Sequence, residues 1–158
     1  PLLEDFSVSI NEPGFLQVIN LPSVKTWKNC YHASSGGNTG NSVLNTLVFP
    51  AMVNYESASL NYNSHTQLAN VTIGTIGTLK TCGLSWGGVS FYFDNCALTQ
   101  ASVDGILTTL ASLDGTNGTD LSANGYVSMT GGTSAAPSST GLAAKATLLA
   151  RGFYIGHN

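Results

Sequence analysis

The chain has 158 residues, of which 8% are charged, with a formal net charge of −3. So few charges and an acidic balance leave no basic patch, which excludes nucleic acid as the main partner. The length suits one domain, 1–158, with a sizeable core, and every apolar run is far short of the roughly 18 residues a membrane span requires. The surface is therefore built from Ser, Thr, Asn and Gly.

In the first half, three stretches align: "LPSVKTW" (21–27), "FPAMVNY" (49–55) and "IGTLKTC" (76–82). Their starts are 28 and 27 residues apart, and each has an apolar residue five positions upstream: Leu16, Leu44 and Val71. Self-similarity in this range marks stacked repeats, because one copy cannot bury its apolar side alone. Residues 1–90 thus read as irregular repeats. The three cysteines, Cys30, Cys82 and Cys96, contain no CxxC pair. They read as small buried thiols, with one disulfide plus a spare thiol as the alternative. The chain opens on Pro1 without a signal-like apolar stretch, which suggests a processed product or a piece of a longer protein.

From residue 91 the pattern is regular. "FYFDNCAL" (91–98) alternates, so Phe91 and Phe93 point inward while Tyr92 and Asp94 point out; "LNYNSHTQL" (60–68) is a looser copy. Cys96 then falls at a turn. "LTQASVDGILTTLASL" carries Val103, Ile106, Leu107 and Leu110 at helical spacing, with Thr99 as its N-cap. "DGTNGTDLSANG" (114–125) is a polar loop, and "YVSMT" (126–130) a short strand. "PSSTGLAAKATLLARG" is a second helix, with Pro137 near its first turn, Gly152 just past its end, and Ala143, Ala144 and Ala146 letting it approach the sheet. "FYIGHN" is a last strand. Strand–helix alternation predicts parallel pairing with right-handed crossovers, so "FYF", "VSM" and "FYI" should lie side by side.

The expected fold is α/β: a right-handed, leucine-rich-repeat-like solenoid with a parallel sheet. Its early repeats, 1–90, are irregular, and 91–158 is a regular strand–helix–strand–helix–strand end with two helices. The stretches "NCALTQASVDGIL", "GGTSAAPSSTGLAAKATLLARG" and the terminal aromatic strand resemble the leucine-rich-repeat-like C-terminal segments of bacteriophage tail-fibre and other virion-associated proteins, and of some large bacterial surface proteins. The resemblance implies a solenoid with a surface role, at a virion or outside a cell; it does not imply a catalytic residue.

One motif invites a different chemistry. "GGTSAAPSSTG" (131–141) resembles the nucleophile turn of subtilisin-like serine proteases, with Ser134 at the nucleophile position. A serine nucleophile needs a base and oxyanion donors. His32, His65 and His157 sit in no matching motif, the Met after the serine is missing, and Ser138 stands where that family has His. Gly131 and Gly132 read better as a strand-to-helix turn. "DGTNGTD" fails as a calcium loop, because Gly118 and Gly125 fall at ligand positions. "GTIGT" and "GGNTG" lack the Lys-Ser/Thr pair of a phosphate loop. Asn70-Val-Thr and Asn117-Gly-Thr fit an N-glycosylation pattern. No metal or other cofactor is implied.

Strand alternation places Tyr92, Ser128 and Tyr154 on one outward face beside Asp94 and Thr130, and Asn61 and Asn63 extend it. Tyr, Asn and a carboxylate suit polar ligands such as sugars. The expected function is non-enzymatic recognition or assembly at a surface, as the receptor-binding part of a phage fibre. The expected partners are a host cell-surface glycan or protein, other virion proteins and further copies of the chain. The alternatives are a capsid-decoration or fibre-cap protein, a secreted bacterial adhesin domain and, last, a hydrolase using Ser134.

Overall fold

A computed structural model describes residues 5–6, 17–24, 26–28, 31–33, 43–51, 54–56, 59–74, 78–80, 90–112 and 125–158. Among them are β1 (Asp5–Phe6), β2 (Val18–Asn20), β3 (Thr26–Lys28), β4 (Tyr31–Ala33), β5 (Thr46–Val48), β6 (Asn54–Glu56), β7 (Ser59–Asn61), β8 (Asn70–Thr72), β9 (Thr78–Lys80), β10 (Ser90–Tyr92), α1 (Gln100–Ala111), β11 (Tyr126–Met129), α2 (Ser139–Ala150) and β12 (Tyr154–His157). The strands form three sheets, ordered β1-β3-β6-β9, β2-β5-β8 and β12-β11-β10-β7-β4. Every pairing is parallel. The chain visits the sheets in turn and returns to each one strand further along. In place of further strands on β8, α1 packs against it, and α2 packs against α1.

The fold is thus mixed α/β with parallel sheets and two helices, and "FYF", "VSM" and "FYI" are neighbours as expected. A single sheet was expected, and the described strands form three. The first repeat step is right: Trp27 pairs with Tyr55. The second is not, because Tyr55 pairs with Leu79 rather than aligning with Cys82. Likewise Val71 pairs with Leu47, not Leu44. Apolar pattern cannot separate Leu79 from Cys82, whereas the ladder is set by backbone steps. Leu16, Cys30, Cys82 and most of the loop 114–125 lie outside the described residues.

The core follows from alternation. Leu60, Phe91, Val127 and Ile155 are register partners and all are buried. One step on, Tyr62, Phe93 and Met129 are fully buried, and the rings of Tyr62 and Phe93 stack at 5.9 Å. Each such side chain contributes about 1.5–3 kcal/mol by leaving water.

The two helices are tied in by polar hooks. Thr99 caps α1, its side chain accepting from the Ser102 N–H. The predicted Val103, Ile106, Leu107 and Leu110 are its buried side. Ser102, also buried, donates through Oγ to the Ala69 carbonyl and accepts from the Val71 N–H, both at 2.9 Å, which joins α1 to β8. Asp104 Oδ1 accepts from the Ser138 N–H at 2.9 Å, placing a carboxylate of α1 at the N-terminus of α2, where the helix dipole favours it. Gly141 allows this approach: a Cβ there would lie 2.1 Å from Asp104 Oδ1. The N-cap of α2 is Ser138, so Pro137 lies just before the cap, next to the first turn as expected. Ala144 is buried but Ala143 and Ala146 are exposed, because α2 is outermost and only one side of it is covered. Gly152 ends the helix at φ +84°, with its N–H on the Leu149 carbonyl and the Phe153 N–H on the Leu148 carbonyl. This is a Schellman closure, with Phe153 and Leu148 both buried beside it.

Glycine matters most at the turn leaving β11. Gly131 and Gly132 have φ +72° and +60°, and a Cβ on Gly132 would lie 2.3 Å from the Cys96 carbonyl oxygen. Backbone cannot step aside, so Gly132→Ala is expected to cost about 3 kcal/mol in denaturant unfolding. Gly105, within α1, has nothing within 4 Å of an added Cβ. There Gly→Ala should stabilise by about 0.5–1 kcal/mol in the same assay.

Candidate ligand-binding face

The outward face of the five-stranded sheet carries its side chains in rows, one residue per strand. In register, Ser90, Tyr126 and Tyr154 occupy one row, and Asn61, Tyr92, Ser128 and Gly156 the next. Beyond the strand ends come Asn63, Asp94, Thr130 and Asn158.

The tyrosines form a ladder. The rings of Tyr126 and Tyr154 are 4.7 Å apart and 8° from parallel, and those of Tyr92 and Tyr126 are 5.1 Å apart at 35°. A spacing of 4.7 Å matches the distance between strands. Rings lying flat side by side on the sheet would overlap at that distance, so Tyr126 and Tyr154 stack face against face, and Tyr92 leans against Tyr126. Tyr92 and Tyr126 are half-buried, while Tyr154, on the outermost described strand of the sheet, is 58% exposed. Of the expected sugar-stacking faces, the one turned away from the ladder belongs to Tyr154. Tyr126 was absent from the sequence-derived site, although the alternation of "YVSM" already puts it beside Ser128.

The polar row is a clamp. Asn61 Oδ1 accepts from the Asn63 N–H at 3.2 Å, and Asn63 Oδ1 accepts from the Asp94 N–H at 2.8 Å. Asp94 Oδ1 in turn accepts from the Thr130 N–H at 2.9 Å, from Thr130 Oγ1 at 2.8 Å and from Ser128 Oγ at 2.5 Å. Asn158 reaches back, accepting from the Gly131 N–H and donating to the carbonyls of Gly131 and Ser134. Of the six predicted site residues, Asn63, Asp94 and Ser128 are therefore engaged between neighbouring strands, and Asn61 holds the turn that follows its own strand. Ser128 is also buried, at 3% exposure. Tyr92 and Tyr154 are the two that share the ring ladder.

The hydroxyl that resembles a protease nucleophile has a structural partner. Ser134 is 6% exposed, and its Oγ accepts from the Leu98 N–H at 3.1 Å. His65 is buried against the Tyr62 ring. His157 Nε2 lies 2.9 Å from Lys145 Nζ, on the α2 side of the fold. Cys96 fills the expected turn: it is a free, fully buried thiol whose Sγ donates to the Tyr62 carbonyl at 3.2 Å. Burial pushes its pKa from 9.0 up to about 12, the His65 backbone N–H opposing this and the Asp94 charge adding to it.

A scan against protein-family models, a search of curated proteins and a search of solved structures find no match to this chain.

Two expectations follow. Asp94→Ala strips three donors of their acceptor and should cost about 1–3 kcal/mol, while Asp94→Asn, which keeps an acceptor oxygen, should cost less; thermal unfolding of the pair checks this. For Cys96, the folded pKa lies above the unfolded one. Its contribution to stability is therefore fully present below pH 9.0 and is lost as pH rises toward about 12. At neutral pH the native thiol should resist iodoacetamide and react on unfolding, which mass spectrometry reads directly.

Proposed function

We propose that the three-sheet arrangement is a right-handed, leucine-rich-repeat-like solenoid, and that the chain is a non-enzymatic recognition domain working at a virion surface or outside a cell. In this reading it is the receptor-facing part of a phage fibre or a similar virion protein, and its partner is a host cell-surface glycan or protein. The observation that carries the reading is the run of neighbouring tyrosine rings, Tyr92, Tyr126 and Tyr154, ending in the exposed ring of Tyr154. Aromatic rings supply contact area at low entropic cost, and their faces cover the C–H faces of sugars. The burial of Ser134 and the use of its oxygen as an acceptor support a non-catalytic role.

Tyr92→Ala combined with Tyr154→Ala should weaken binding to a glycan array and to host cells by about tenfold or more. Unchanged binding by a folded double variant would overturn the reading of this face. A fluorophosphonate probe should leave Ser134 unlabelled; covalent labelling there would restore the hydrolase reading. Immunogold labelling of the native source should fall at fibre tips, and label spread over a capsid or cell envelope would favour the decoration or bacterial-adhesin alternatives.

A further inference from the structure

The polar row beside the tyrosines uses only part of its hydrogen-bonding capacity. Asn61 and Asn63 each commit Oδ1 to a backbone N–H, that of Asn63 and that of Asp94. These donors fix both amides: Nδ2 cannot accept, so the oxygen takes the N–H and the nitrogen is left over. Asp94 is committed in the same way, its Oδ1 taking the Thr130 N–H, Thr130 Oγ1 and Ser128 Oγ. Asp94 Oδ2 and the two Nδ2 groups bond to nothing else among the described residues. All three side chains are partly exposed.

The row is also fixed in place. Each side chain is held through the oxygen it has committed, so a ligand taking the remaining atom has little side-chain freedom to freeze. Tyr92 stands among these atoms. Its register partner is Asn61, and Asp94 follows it two residues on, on the same side of the sheet.

The leftover atoms discriminate between ligand groups. Asp94 Oδ2 only accepts, and the amide nitrogens only donate. A ligand carboxylate, sulfate or phosphate would suit the amides but would meet the Asp94 charge. An ammonium or guanidinium would suit Asp94 but has no acceptor for the amides. A hydroxyl both donates and accepts, so adjacent hydroxyls satisfy both kinds of atom at once.

We infer, on the recognition role proposed above, that this row holds neighbouring hydroxyls of a neutral sugar. Asp94 Oδ2 accepts from one hydroxyl, Asn63 Nδ2 donates to the next, Asn61 Nδ2 extends the row, and the Tyr92 ring lies beside the C–H face. Asp94 thereby has two jobs on two oxygens: Oδ1 ties the strands and Oδ2 meets the ligand.

Two isosteric exchanges separate these jobs. Asp94→Asn keeps an oxygen for the Thr130 N–H and turns the leftover acceptor into a donor. Asn63→Asp keeps an oxygen for the Asp94 N–H and turns the leftover donor into an acceptor. The 158-residue chain and both variants are applied to an array of neutral and sialylated oligosaccharides, with thermal unfolding alongside. The unaltered chain should bind neutral oligosaccharides in preference to sialylated ones, and each folded variant should bind them about tenfold or more weakly. Asn61→Asp replaces Asn63→Asp if the latter does not fold. Preference for sialylated oligosaccharides overturns the inference, and so does full binding by either folded variant. If Tyr92→Ala with Tyr154→Ala loses glycan binding while folded Asp94→Asn keeps it, the polar row fails and the recognition reading stands. If the unaltered chain binds host cells but no glycan, the sugar fails as the ligand class and a protein partner takes its place.

Discussion

The rest of the structure depends on how the chain leaves each strand of the five-stranded sheet. After β7, β10 and β11 it turns through residues with positive φ: Ser64 at 66°, Asn95 at 57°, and Gly131 and Gly132. These turns stack. The Ser64 N–H donates to the Asp94 carbonyl, the Asn95 N–H to the Thr130 carbonyl, and the Thr133 N–H to the Cys96 carbonyl. Parallel strands cannot be joined by tight hairpins, so each must be followed by a departure to another layer. Here the departures are themselves hydrogen-bonded to one another, which satisfies these backbone groups beside the core. The crowding of Asn95 and Cys96 against Gly132 leaves no room for a side chain at that step.

The helical layer takes over where the three-stranded sheet stops, and short polar side chains manage the exchange. A helix offers β8 no backbone ladder, so Ser102 supplies the missing donor and acceptor from within α1. Ser134 does the same for the Leu98 N–H, and Asp104 for the first residues of α2. Buried hydroxyls at these junctions are worth their desolvation because the alternative is an unsatisfied amide. The motif around Ser134 converges on a protease turn for this reason: both need a strand to turn into a helix, and small residues suit both.

The C-terminal third was legible in the sequence because its signals are local. Helical spacing found the buried side of α1, alternation found Phe91 and Phe93, and Thr99, Gly131, Gly132 and Gly152 marked turns and ends. The first half was less legible because its strands are three residues long or shorter, too short for alternation to fix a register. The candidate site was legible only by row. Alternation placed Asp94 on the outward face, but its donors stand 34 and 36 residues away, so the clamp between strands has no local signal in the sequence. Tyr126 could have been read by the same rule that found Ser128.

The connections between strands of the five-stranded sheet differ in length, yet its rows do not drift. Leu60 to Phe91 is 31 residues, Phe91 to Val127 is 36, and Val127 to Ile155 is 28, and all four are register partners. The register of the strands is the same whatever the length of the connection between them. That face can therefore diversify one residue per strand while the inward partner positions keep the core. Insertions elsewhere would leave its spelling untouched. A sheet built this way separates the evolution of what is displayed from the evolution of what holds it up.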